Sequence, residues 1–123
     1  MTFPITFTQN FKESFLENCK TLTFIGFAIK ARKVRTGVNA IKTLKGGVYA
    51  LVLCKTASKN TVDEAVKLAN KFNAPLIISN AYKIEDIVKK EHCKLIAIQD
   101  QSLSQAILNS LDGRFQNYSG GIT

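Results

Sequence analysis

Between Asn18 and Val62 the chain has no aspartate or glutamate. The same interval carries nine of the chain's 17 basic residues: Lys20, Lys30, Arg32, Lys33, Arg35, Lys42, Lys45, Lys55 and Lys59. A field of one sign repels itself and is relieved by a polyanion, and nucleic acid is the commonest one. Elsewhere acids are scattered normally among the bases, so the net charge of +8 is concentrated rather than spread.

Other scarcities exclude whole classes of function. There is one histidine, His92, set among lysines, and any Ser-His or Cys-His nucleophile pair would have to use it. No G-x-S-x-G, Walker loop, G-x-G-x-x-G or H-E-x-x-H occurs. The acid pairs Asp63-Glu64 and Glu85-Asp86 fall where helices are predicted to start, and the helix dipole accounts for them there. No catalytic residue is therefore expected.

The three cysteines, Cys19, Cys54 and Cys93, are odd in number and lack C-x-x-C spacing. They read as free thiols in a reducing compartment, with no metal site and no cofactor. His92 and Cys93 are adjacent, and strand neighbours face opposite ways. The apolar stretch Thr21–Ile29 is far shorter than the roughly 20 residues of a membrane span, and no signal-peptide layout precedes it. A cytoplasmic protein with no membrane partner is expected, in which the sequon Asn117-Tyr-Ser stays unmodified.

What is present is an alternation of helical and strand patterns. Met1 to Thr8 reads as a lead-in arm. Phe11, Phe15, Cys19, Leu22, Ile25 and Ile29 recur at helical spacing from Gln9 to Arg32, in one helix or two broken near Lys20-Thr21. Lys33 to Thr36 is a short strand, and Val38 to Lys45 a short helix stopped by Gly46-Gly47. Val48 to Cys54 is a continuous apolar strand of the type buried on both faces. Asn60 or Thr61 caps a helix to Phe72, with Val62, Ala65, Val66 and Ala69 inward, and Asn73-Ala-Pro75 ends it. Then come the strand Leu76–Ser79, a helix Ile84–Lys90, the strand Lys94–Ile98 and a helix Leu103–Leu111 with Leu103, Ala106, Ile107 and Ser110 inward. Asp112 to Thr123, with three glycines, reads as a frayed tail. The pattern predicts an α/β sandwich.

The most informative point is the strand-to-helix turn Arg35-Thr36-Gly37. Backbone amides at a helix start beside cations suit a phosphate, and Gly37 permits close approach or an unusual dihedral. Asn39 offers an amide for a base edge, and Lys42 lies three residues on, on the same helical side.

Four segments with these features carry a resemblance: Ile25-Gly-Phe-Ala-Ile-Lys-Ala-Arg-Lys-Val-Arg-Thr-Gly37; Ile41-Lys-Thr-Leu-Lys-Gly-Gly-Val-Tyr-Ala-Leu-Val-Leu-Cys54; Thr56-Ala-Ser-Lys-Asn-Thr61 with the helix that leads to Asn73-Ala-Pro75-Leu-Ile-Ile; and Leu95-Ile-Ala-Ile-Gln-Asp100 followed by Leu103 to Leu108. In order and spacing they resemble the kink-turn RNA-binding ribosomal proteins of the L-seven-Ae and L-thirty-e type, nearest in pattern to the bacterial YlxQ-like group. The match spans roughly Leu22 to Leu111.

The resemblance implies a single-domain, three-layer α/β/α sandwich around a small mixed four-stranded sheet. It also implies binding to a sharply bent RNA with sheared G·A pairs. Gly37 matches the family's glycine, Asn39 the polar position after it and Lys42 the helix lysine. A second loop, at about Ile87 to Glu91, would present an apolar residue to a flipped-out base, which makes Ile87, Val88 and Lys89 site candidates. Phosphate contacts would come from Lys30, Arg32, Lys33, Arg35 and Lys42, with Thr36 in the turn. Residues 1–20 would form an extension or extra helix, 21–112 the RNA-binding domain, and 113–123 a flexible tail.

The expected partner is ribosomal or other structured RNA, with the ribosome among the candidates and the chain a monomer. The competing expectation is a protein-interaction adaptor that docks through an N-terminal helix bearing Phe11 and Phe15.

Overall fold

Ala50–Cys54 is buried along its whole length, and an apolar strand of that kind needs packing on both faces. It lies at the centre of a five-stranded sheet. The computed structural model describes residues 19–118. Their elements are α1 (Lys20–Lys30), β1 (Val34–Thr36), α2 (Val38–Lys42), β2 (Ala50–Cys54), α3 (Lys59–Phe72), β3 (Leu76–Ser79), α4 (Ile84–Val88), β4 (Leu95–Ile98), α5 (Gln101–Asn109) and β5 (Phe115–Asn117). The strand order is β1-β4-β2-β3-β5. Only β2 and β3 are parallel, joined by the crossover helix α3, and every other pair is antiparallel.

Alternation along the strands divides the core in two. Ala50, Val52, Cys54, Ile77, Ile96 and Ile98 face one side, where Ile25 and Ala28 of α1, Ile84 of α4 and Ile107 of α5 cover them. Leu51, Leu53, Leu76, Leu95 and Ala97 face the other, under Ile41 of α2 and Ala65 and Leu68 of α3. The result is a three-layer α/β/α sandwich. Each fully buried Leu, Ile or Val stabilises it by roughly 1.5–3 kcal/mol.

Several expectations need correction. The sheet has five strands, not four. Asp112–Tyr118 is ordered, because Phe115 is buried and stacks on Tyr82 at 5.6 Å while β5 pairs with β3. A single buried aromatic among glycines and polar residues leaves little periodicity to read.

The cap of α3 is Ser58, whose hydroxyl accepts from the Thr61 amide at 3.2 Å, so the helix starts ahead of Asn60 and Thr61. Asp63 and Glu64 then lie beyond its first turn, and the dipole no longer accounts for them. On the inner side of α3, Leu68 joins the expected apolar residues.

Helix α2 ends at Lys42, where the Thr43 hydroxyl takes the Ala40 carbonyl at 2.7 Å, well before Gly46-Gly47. Helix α4 stops at Val88 because Lys89 turns left-handed. Helix α5 starts at Gln101, capped by Asp100, and buries Ser104 with Ile107. Of the long N-terminal helical pattern, Lys20–Lys30 is observed as α1, and Gln9–Asn18 falls outside the described residues.

His92 and Cys93 are not strand neighbours. They precede β4, with His92 exposed and left-handed and Cys93 buried. All three cysteines are free and buried. No described helix is long and apolar enough to cross a membrane. Among the described residues no group of His, Cys, Asp and Glu could hold a metal ion.

Candidate nucleic-acid interface

The basic run begins where α1 stops. Arg32 adopts a left-handed conformation (φ 60°), its amide bonds the Ile29 carbonyl at 3.0 Å, and the Lys33 amide reaches back to the Ala28 carbonyl at 2.9 Å. This paired closure is a Schellman ending, usually built on glycine. It reverses the chain sharply and leaves Lys30, Arg32 and Lys33 exposed.

The chain then enters β1, an edge strand. Val34 pairs with Ile98, Arg35 with Ala97 and Thr36 with Ile96. Val34 packs into the core under α1, so alternation puts Arg35 on the opposite face, that of α2 and α3, where it is exposed. Among the described residues no carboxylate forms an ion pair with Lys30, Arg32, Lys33 or Arg35, and the ion pairs found there involve Lys42, Lys94 and Arg114.

Gly37 is the N-cap of α2 with φ 89° and ψ 143°. An added Cβ would meet nothing within 4 Å, so the dihedral and not crowding demands glycine here. Its amide is already bonded to the Leu95 carbonyl at 2.9 Å and is not free for a phosphate. With α2 only five residues long, the expected phosphate cradle at the helix start is weaker than the sequence implied. Asn39 and Lys42 are both exposed on α2. Lys42, however, is ion-paired to Glu64 of α3 at 2.9 Å, and its own carbonyl accepts from Lys71 at 3.0 Å. The hydrogen bond from the Lys42 ammonium holds the Glu64 carboxyl below its ordinary value.

The second loop, Lys89–Lys94, differs from expectation. Ile87 and Val88 are in α4 and pack partly against the core, so neither is held out toward a base. Lys89 is exposed and left-handed (φ 60°), as is His92 (φ 63°).

Four hydrogen bonds shape this loop. The Lys90 ammonium donates to the Thr36 hydroxyl at 2.9 Å, which ties the loop to the glycine turn. Lys94 donates to the Thr56 hydroxyl at 3.0 Å on the other side. Between them Glu85 accepts from Lys94 at 2.9 Å with one oxygen and from the His92 amide at 3.2 Å with the other. The Lys94 hydrogen bond lowers the Glu85 carboxyl and, reciprocally, raises the Lys94 ammonium.

Cys54 lies close by, at the end of β2, with its sulfur 3.1 Å from the Thr56 hydroxyl. Burial pushes its thiol up, but the Thr56 hydroxyl, the backbone at Ile84 and Thr56, and Lys94 together bring it below the ordinary value.

The predicted site residues thus divide between two ends of one strand. Lys30, Arg32 and Lys33 lie where β1 begins, and Thr36, Gly37 and Asn39 lie where it ends beside Lys89 and Lys90. The four residue steps from Lys33 to Gly37 span roughly 13 Å. Arg35 stands between. Lys90, Lys94, Glu85 and Thr56 belong to the second group and carried no signal of it in the sequence, because their partners are seven to 54 residues away.

No protein-family model matches this chain, and no curated protein matches it. Among solved structures, a protein of unknown function from Bacillus halodurans C superposes with a TM-score of 0.61 at 20% identity. The overlap covers 74% of this chain and 95% of that one. At this identity the likeness establishes the α/β fold alone.

Proposed function

We propose that this protein is a non-enzymatic, cytoplasmic RNA-binding protein of the kink-turn-binding ribosomal type. It acts as a monomer on ribosomal or other structured RNA. The observation that carries this reading is the row of exposed cations along and beside the edge strand, Lys30, Arg32, Lys33 and Arg35, none of them ion-paired to a described carboxylate. Cations left unpaired in a chain of net charge +8 raise its self-repulsion, and a phosphate backbone neutralises them. The Lys90–Thr36 bond adds specificity, because it joins the second loop to the glycine turn in one surface. In this reading Arg35 and Lys90 contact phosphates, and Gly37 and Asn39 approach the bases.

The test is binding to a kink-turn RNA and to a matched duplex without sheared G·A pairs, at two salt concentrations. Preference for the kink-turn at both salts supports the reading. Equal and steeply salt-dependent binding makes the protein a general binder of basic character. Binding to neither RNA overturns the proposal in favour of a protein-interaction adaptor.

A further inference from the structure

Among the described residues two large apolar side chains are exposed, Phe27 at 50% and Tyr49 at 41%. Backbone hydrogen bonds bring both to the same end of the molecule. The Lys33 amide bonds the carbonyl of Ala28, the residue after Phe27, at 2.9 Å. The Lys33 carbonyl accepts from Gln99 at 2.7 Å, and the carbonyl of Ile98, next to Gln99, accepts from Tyr49 at 2.9 Å. Lys33 is therefore bound on one side to Phe27's neighbour and, across the single strand β4, to the strand that Tyr49 leads into. With neighbouring strands about 4.8 Å apart, the backbones of Lys33 and Tyr49 are separated by about 10 Å. Lys30 lies three residues after Phe27 on α1, which puts them on the same helical side. Phe24 meets the Phe27 ring edge-on at 6.3 Å and props it outward. Asp100, which follows Gln99, is turned to the Leu103 amide as a helix cap.

Exposed aromatic rings interleaved with unpaired cations are the elements of a single-stranded nucleic-acid platform. Bases stack on the rings while the cations follow the backbone. Building on the RNA-binding reading above, we infer that the α1–β1 end is a second RNA subsite. It takes an unpaired strand extending from the structured RNA, with Phe27 and Tyr49 as stacking surfaces and Lys30, Arg32 and Lys33 as phosphate contacts. This subsite is distinct from the glycine turn at the other end of β1. It explains why three of the cations stand so far from Gly37 and Asn39.

The experiment compares the full chain's binding to a kink-turn RNA with and without an oligouridine extension. The proteins are wild type, Phe27→Leu, Tyr49→Leu, Tyr49→Phe and Arg35→Ala. All the aromatic substitutions are at exposed positions, and unfolding midpoints near wild type verify that the variants fold. The extension should tighten wild-type binding roughly tenfold. That gain should be lost in Phe27→Leu and Tyr49→Leu and kept in Tyr49→Phe, with binding to the unextended RNA unchanged in all three. Arg35→Ala should weaken both RNAs. If wild type binds the kink-turn RNA and the extension adds nothing, or if the gain survives both leucine variants, the second subsite is wrong and the RNA-binding reading stands. If wild type binds neither RNA, both are wrong.

Discussion

The Lys90 ammonium sits 2.9 Å from the Thr36 hydroxyl, a contact between residues 54 apart in sequence. It closes the second loop onto the turn that enters α2. Replacing Thr36 by valine keeps the shape and the strand preference but removes the acceptor. Thr36→Val should lower affinity for structured RNA about fivefold, the worth of about one hydrogen bond, with little change in the salt dependence. Lys90→Ala should lower affinity and also reduce the salt slope by about 0.7 to 0.9. A filter-binding series over salt reads both. Unchanged affinity in Thr36→Val would show that the link does not organise the loop.

Arg32 holds a left-handed conformation that costs an L-residue roughly 1–2 kcal/mol. Arg32→Gly relieves it, offset in part by the greater freedom of glycine when unfolded. The variant should unfold about 2–5 °C higher while binding RNA more weakly, because a cation is lost. Thermal unfolding beside an affinity measurement separates the two effects. A lower midpoint would contradict the assignment of strain at this residue.

Lys42 is committed to Glu64 at 2.9 Å, and a phosphate would have to compete with that carboxylate. Lys42→Ala should therefore weaken RNA binding less than Arg35→Ala does. Glu64→Gln, which frees the ammonium, should strengthen binding about two- to threefold. If Glu64→Gln has no effect, Lys42 lies outside the interface.

The Glu85 carboxyl is held below its usual range, chiefly by Lys94. A group whose pKa is depressed in the folded state stabilises above its unfolded pKa, and that stabilisation is lost as pH falls through the folded value. The second loop should stay ordered at neutral pH and loosen only below the normal carboxylate range. The Lys94 ammonium is raised by the same partner. Its contribution is complete below its unfolded pKa and disappears as strongly alkaline pH rises through the folded one. Hydrogen exchange at the His92 amide, which donates to Glu85, reports the acid transition. Glu85→Gln should give fast exchange at this amide already at pH 7. Protection that is indifferent to both acid and Glu85→Gln would exclude this role.

Phe115 is buried and stacked on Tyr82, so Phe115→Ala should cost about 3–5 kcal/mol. Chemical denaturation measures it. A loss below about 1 kcal/mol would mean that β5 is an ornament of the sheet.

The elements most legible in the sequence were those whose signal is local. The apolar runs at Val48–Cys54 and Leu76–Ser79 read as buried strands because strands covered on both faces need no alternation. The end of α3 at Phe72 was legible because Asn73 readily turns left-handed, as it does at φ 52°. The ends of α1 and α4 were harder, because Arg32 and Lys89 take the same conformation without the residue type that usually announces it. The strand β5 was missed because a three-residue edge strand is stabilised by its neighbour β3 and not by its own pattern.

For the site, composition alone determined that an acid-free basic region surrounds the Thr36–Gly37 turn. Charge and turn chemistry belong to residues one at a time and survive without a fold. Only the tertiary structure decided which cations are free and which are neighbours. It paired Lys42 with Glu64, turned Ile87 and Val88 toward the core, brought Lys90 to Thr36, and put Phe27 and Tyr49 at the end of the molecule where Lys33 lies. Each of these depends on strand order and on the side of the sheet a residue faces. Both are set by how the two apolar layers close over the sheet.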